Sequence, residues 1–285
     1  MSLTLHALHR LVRMVVILLL VALGSTVLVR YAPGYLSDAR EMDARYAGTV
    51  RTELAAEAER SQALGPMLAS QIRGWMHGDF GVSRQYGVPV LELIEPRLAT
   101  TGILLLQAIG LAWLLAGSTA LLSSARKRPS LLWQVPATLL LAIPTAAMAT
   151  LCLLANSGGP LLVLTLLLAA RDFKLLDRIL RKTWRDPHLL HARAQGLGPL
   201  AMLRAHVIPS IASDLRTLAT LSIVTGLSAL VPVEVIFSVP GLGQLAWNAA
   251  LNRDLPILLA ITMIMAVCVT FAGMLSEGEA EWKAV

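Results

Sequence analysis

The sequence predicts an all-α membrane protein with six transmembrane helices. Three observations carry that expectation. Of the 285 residues, 56% are apolar and only 15% are charged, against about 25% charged in an ordinary soluble domain. Mean hydropathy is +0.66. The apolar residues also gather into long, nearly uncharged runs, several of them sufficient to cross a hydrocarbon core of about 30 Å at about 1.5 Å per helical residue. This composition excludes a disordered chain, a coiled coil and a nucleic-acid-binding domain. It argues against a soluble enzyme, whose surface could not cover so much apolar material. The net charge of +6 fits basic residues clustered in cytoplasmic loops, and no nucleic-acid partner is expected.

Each element follows in order. Residues 1–10 form a cytoplasmic N-terminus, and residues 11–29, Leu11 to Val29, form the first span, with Arg13 near its start. Arg13 can snorkel to the headgroups. No small-residue cleavage site follows, so a span is read in preference to a signal peptide. Residues 30–97 form an external segment, either a plain cap or a surface with ligand contacts. Within it Gly78-Asp79-Phe80-Gly81-Val82-Ser83 reads as a turn. From residue 98 to 285 a five-span core is expected. Its first span is Leu98 to Ala125.

The next run, Pro129 to Ala170, carries no charge and is too long for one crossing. Asn156-Ser157-Gly158-Gly159-Pro160 breaks it as a tight turn. Arg126-Lys127-Arg128 precedes the run, and the stretch from Arg171 to Arg204 after it is rich in Lys and Arg. Both flanks therefore belong to the cytoplasm. The run crosses twice or dips in and returns, and two crossings are preferred. The fourth helix must then carry Arg171, Asp172 and Lys174 near its cytoplasmic end, tilted or facing protein. The fifth span is Thr217 to Val239, with Pro232 and Glu234. The sixth is Leu255 to Ser276. Both termini lie inside.

Catalytic chemistry is not visible. The sequence holds no phosphate-binding loop of the G-x-x-x-x-G-K-[ST] type, no H-E-x-x-H and no G-x-S-x-G elbow. Neither a cofactor nor a metal site is expected. Cys152 and Cys268 both lie within apolar runs and suggest no disulfide framework.

Two segments carry information. The first lies in a cytoplasmic loop at about 171–214. Ala192, Arg193 and Ala194 favour helix, Gly196-Leu197-Gly198-Pro199 stops it, and Leu200 to Val207 restarts one. Leu197, Leu200, Met202 and Leu203 would then face the cytoplasm, as a docking surface for a partner or as a helix lying on lipid. The second segment runs from Val233 to Leu245. Glu234, Phe237, Pro240, Gly241 and Gly243 mark an apolar outer loop, or gate, folding back into the bundle mouth. Gly241 and Gly243 would permit close backbone approach or positive φ.

These residues carry a resemblance. A-R-A-Q-G-L at 192–197 and R-A-H-V-I-P at 204–209 resemble the cytoplasmic loop of ATP-binding-cassette importer permeases. E-V-I-F-S-V-P-G-L-G at 234–243 and N-R-D-L-P at 252–256 resemble the peptide/nickel subfamily in particular, as do Ala32-Pro33-Gly34, Gly78 to Ser83 and Gly87-Val88-Pro89-Val90. The match runs in order over most of the chain.

The resemblance implies the permease subunit of a type I importer in a bacterial inner membrane. Such a permease pairs with a second, related permease. Two cytoplasmic ATP-binding subunits dock on the loop and hydrolyse ATP, and an external binding protein delivers cargo, here peptides or a related small solute. Ala192 and Gly196 match the family's loop alanine and glycine and would sit in its coupling helix. Leu190 stands where the family has an acid, the turn at 156–160 is short, and the family's usual ending is absent. The alternative is a non-transporting membrane scaffold or regulatory subunit that docks an ATPase.

Overall fold

The computed structural model describes residues 12–24, 27, 69, 72–75, 77–124, 131–187, 189 and 197–276. The described chain is helical, with one isolated antiparallel bridge between Val82 and Pro89. We number the principal helices α1 Val12–Gly24, α2 Val90–Ser124, α3 Leu131–Ala142, α4 Thr145–Leu154, α5 Pro160–Thr183, α6 Pro199–Met202, α7 Ala212–Ile236, α8 Leu242–Leu251 and α9 Leu255–Ser276. By length and apolar composition α2, α7 and α9 each suffice to cross a membrane, and the bent pair α3–α4 could serve as a fourth span. α1 is shorter.

Boundaries differ from expectation in three places, one being α7, which runs Ala212–Ile236 rather than Thr217 to Val239. α2 begins at Val90 rather than near Leu98, because Glu92, Glu95 and Arg97 do not interrupt a helix although they interrupt an apolar run. The stretch Pro129–Ala170 breaks twice, not once. Asn156 (φ 45°) and Gly158 (φ 79°) make the expected turn before α5. A second break at Ile143-Pro144 bends α3 against α4 by 97°. Pro144 has no N–H to donate, and it pushes the residue before it out of helical geometry.

The residues cluster into two compact units. The first takes residues 1–100 and 240–270, the second residues 101–239 and 271–285. In the first, Val90 and Ile94 of α2 pack with Leu242, Leu245 and Ala249 of α8 and with Ile257, Ala260 and Ile261 of α9. In the second, the core lies between α2, α5 and α7. Leu105, Ala108 and Ala112 meet Leu164, Leu168, Leu230 and Val233.

Small residues let these helices approach. A Cβ on Gly226 of α7 would stand 2.4 Å from Leu105 Cδ1 and 3.7 Å from Leu168 Cδ1, so glycine fits where three helices converge. Gly159 caps α5 and Pro160 opens it. Proline suits a first helical turn, where its missing donor is not needed. Arg181 and Lys182 close it, at the end where the negative pole of the helix dipole favours cations.

Candidate functional site

α5 continues through Arg171, Asp172 and Lys174 without a break; it is not among the helices whose length and apolar composition suffice to cross a membrane. Asp172 faces protein and is 1% exposed. Its Oδ2 accepts a hydrogen bond from the Ser222 hydroxyl of α7 at 2.8 Å, and Ser222 Oγ accepts from the Trp113 indole N–H of α2 at 3.2 Å. Arg171 donates to the Leu221 carbonyl at 2.7 Å and also to the Thr225 hydroxyl. One turn on, Asp177 Oδ2 accepts from Gln134 Nε2 of α3 and from Arg181 Nε, each at 2.9 Å. A polar ladder thus ties α2, α3, α5 and α7. The periodicity of α5 explains why its carboxylates turn inward: Asp172 shares a face with Leu168 and Leu176, four residues away on either side.

Of the loop residues singled out in the sequence, Ala192, Arg193, Ala194 and Gly196 lie outside the described residues. Leu197 is 38% exposed. Leu200 belongs to α6, and nothing further is described of its side chain. After α6 the helix widens into a π-turn, Leu203–Val207, followed by the short turn Ile208–Ser210.

The expectation that Met202 and Leu203 face outward is corrected. Met202 is 2% exposed, and Leu203 is partly buried. Five residues along an α-helix would set Met202 and Val207 about 140° apart. The wider turn of i→i+5 bonding brings them toward one face. Val207 then packs with Leu189 and Ile211 in the core below α5. Arg204, Ala205 and Ile208 stay exposed. The segment therefore has an anchored face and a free one, and the free one carries Leu197 and Ile208.

The loop after α7 divides between the two units. In the second unit Glu234 is fully buried near the end of α7 and accepts from the Thr101 hydroxyl at 2.7 Å. Phe237 caps α7 and packs on the Leu230–Val233 core. In the first unit Pro240 leads into Gly241, which caps α8 in extended geometry (φ −108°, ψ −174°). Gly243 is buried in the first turn of α8. Neither glycine has positive φ, contrary to one reading of the sequence. The left-handed residues are Ser238 (φ 53°) and Arg253 (φ 55°), on either side of α8. Gly241 and Gly243 are buried, as are Leu242 and Leu245 beside them.

Sequence reasoning missed one contact. Ser83 and Asp254 meet within the first unit. Both are buried, and the Ser83 hydroxyl donates to Asp254 Oδ2 at 2.5 Å. The Gln85 N–H donates to the same oxygen at 3.0 Å. The turn that presents Ser83 is built by Gly81 and Gly87, both at positive φ, and by the Gly81 N–H bonding Asp79 Oδ1.

These features have counterparts in known proteins. The chain is 28% identical to the oligopeptide transport system permease protein of Bacillus subtilis over 232 residues, 71% of this chain and 73% of that protein. It is 28% identical to a metal-staphylopine import system permease protein of Staphylococcus aureus over 243 residues, covering 76% and 77%. It is 26% identical to the oligopeptide transport system permease protein of Escherichia coli over 246 residues, covering 76% and 79%. Residues 108–277, which hold the C-terminal half of α2 and all of α3 to α9, match one family along their whole length. The chain belongs to the binding-protein-dependent transport system inner membrane components.

Proposed function

We propose that this chain is a permease subunit of an ATP-driven importer of peptides or a related small solute, such as a metal chelate. Support for the cargo class comes from its relatives, which are named as oligopeptide and metal-staphylopine permeases. The observation that carries the coupling role is the two-faced segment 197–210. Val207 packs in the helical core and Met202 is buried, while Leu197 and Ile208 are left for a partner to cover. An anchored segment with a free apolar face can pass a partner's movement to the helices it is packed on.

In this reading a second, related permease completes the pore, and two ATP-binding subunits dock on the segment from Ala192 to Ile208. An external binding protein delivers cargo to the side of Glu234 and Gly241. ATP hydrolysis belongs to the partner chains. ATP binding draws the docked subunits together, the coupling segments follow, and the pore changes its access by rigid-body movement rather than bond chemistry. The polar ladder Trp113–Ser222–Asp172 makes α2, α5 and α7 move as one piece.

The test is reconstitution. The chain co-expressed with its partner subunits should give proteoliposomes in which ATP turnover rises with loaded binding protein and labelled peptide accumulates. A complex that assembles and hydrolyses ATP without accumulating any tested peptide or metal chelate would favour the second reading, a non-transporting scaffold or regulatory subunit. The brevity of the turn between α4 and α5, residues 155–159, is the observation behind it.

A further inference from the structure

A cleft of about 800 Å³ opens beside the C-terminal half of α5, within the second unit. Lys174, Arg178, Arg181, Lys182 and Arg185 line it, against two acids, Asp177 and Asp186. The four bases on α5 recur at three- and four-residue steps, so the helix gathers them on one side, and Arg185 follows just past its end. Gln134 of α3 also lines the cleft.

Arg181 is already engaged. It bonds Asp177, and its Nη2 donates to the carbonyl and hydroxyl of Ser123 at 2.6 and 2.8 Å. With the Gln134 bond to Asp177, this fixes the inner wall and neutralises that carboxylate. Lys174, Arg178, Lys182 and Arg185 make no side-chain hydrogen bond or ion pair among the described residues. Like charges one turn apart repel, so the recess favours an anion.

A second observation says what kind of anion. On α3, Leu131, Val135 and Leu139 are 75%, 48% and 62% exposed, on the flank adjoining Gln134. α5 is uncharged from Pro160 to Ala170 and becomes basic beyond it. The cleft therefore lies where an apolar surface gives way to a cationic one. A free phosphate would use only the cationic half of this arrangement.

We propose that this cleft binds the phosphate headgroup of an anionic glycerophospholipid, with its acyl chains along the exposed leucines of α3. Basic recesses between membrane helices are suited to such headgroups. The proposal rests on α5 being a membrane helix. It does not depend on cargo or on which side of the membrane the cleft faces.

The test uses the full chain with its co-purifying subunits, titrated in detergent with phosphatidylglycerol or with phosphatidylcholine of the same acyl chains. Native mass spectrometry reads the lipid retained. The parent should hold phosphatidylglycerol at least about tenfold better, since each basic side chain near an anionic lipid counts for roughly a fivefold factor. The combined variant Arg178→Gln, Lys182→Gln, Arg185→Gln should lose that preference. These three side chains are exposed and outside the inner wall, so folding is spared, and circular dichroism checks it. Lys in place of Arg178 and Arg185 should restore the preference.

Four outcomes overturn the proposal: equal retention of both lipids by the parent, an unchanged preference in the triple variant, displacement of phosphatidylglycerol by inorganic phosphate, and loss of the ATP-binding subunits with lipid retention unaltered. The last would make the cleft a protein-docking surface. Lipid retention is read separately from transport, so a chain that fails to import peptide but keeps the preference sinks the functional reading and not this one.

Discussion

The Ser83 hydroxyl donates to the Asp254 carboxylate although 171 residues separate the two in the chain. The bond joins two motifs that each read as an isolated turn in the sequence, Gly78 to Ser83 and Asn252 to Pro256. Asp254 is the residue before α9, and its N–H is bonded to the Ala249 carbonyl at 2.8 Å. Its carboxylate is thus held at the corner between α8 and α9 and offered to the turn at 81–87. Both side chains are buried. A buried carboxylate left with fewer donors is costly, so the pair should be energetically coupled.

Ser83→Ala and Asp254→Asn should each lower thermal stability in detergent, and the two together should cost less than their sum. A double-mutant cycle should give a coupling of about 1 kcal/mol or more. Additive losses would show that the bond does not contribute. Protease cleavage within residues 77–89 should also quicken in each single variant, because the turn loses its tether.

Gly226 makes a sharper test of packing. Valine there would drive a branched side chain into Leu105. Overpacking of this kind costs about 1–3 kcal/mol, and the stiff χ1 of valine leaves no easy escape. Alanine is different. Leu105 Cδ1 is the free end of a flexible side chain, and alanine gains about 1 kcal/mol of helix propensity over glycine. Gly226→Val should reduce the melting temperature of the purified chain and Gly226→Ala should move it little. Equal behaviour of the two would mean the helices can part at this point.

Much of this architecture is legible in the sequence, for identifiable reasons. The last span begins and ends where its apolar run does, because Asp254 and Glu277 bracket Leu255 to Ser276. The turn before α5 is legible because Gly158 and Pro160 act locally. Pro144 was equally visible, but it sits inside an apolar stretch where composition gives no hint of a 97° bend. α-Helical spacing places Met202 outward, but the π-turn Leu203–Val207 changes which residues share a face. The Ser83–Asp254 bond and the basic cleft depend on tertiary approach, which no local pattern encodes.

The transmembrane arrangement yields a labelling prediction. After Cys152 and Cys268 are replaced by alanine, single cysteines are placed at Ser61, Ser130 and Ser157. A membrane-impermeant maleimide added outside should modify the first and spare the second. Ser157 is exposed in the turn between α4 and α5, and if α3–α4 and α5 both cross, it too should label from outside. Labelling of Ser130 with protection of Ser61 would invert the proposed orientation. Protection of Ser157 alone would instead favour a re-entrant hairpin.

The coupling role separates the two faces of the segment 197–210. Leu197→Asp and Ile208→Asp alter side chains that are already exposed, so neither buries a charge and the chain should insert and melt as the parent does. Both remove apolar surface from the free face, and co-purification of the ATP-binding subunits should fall several-fold or vanish. Met202→Asp does the opposite. It places a carboxylate in a site that is 2% exposed, where an unpaired charge costs several kcal/mol, and the chain itself should lose stability. Gly196→Val tests the glycine one residue before Leu197, where the sequence predicts a break between two short helices. A β-branched side chain is disfavoured at such a break, so insertion should survive while binding-protein-stimulated ATP turnover is lost. If Leu197→Asp, Ile208→Asp and Gly196→Val all assemble and turn over ATP like the parent, the free face carries no partner. The same residues would then be read as resting on the lipid surface, and their aspartate variants should lose membrane contact instead.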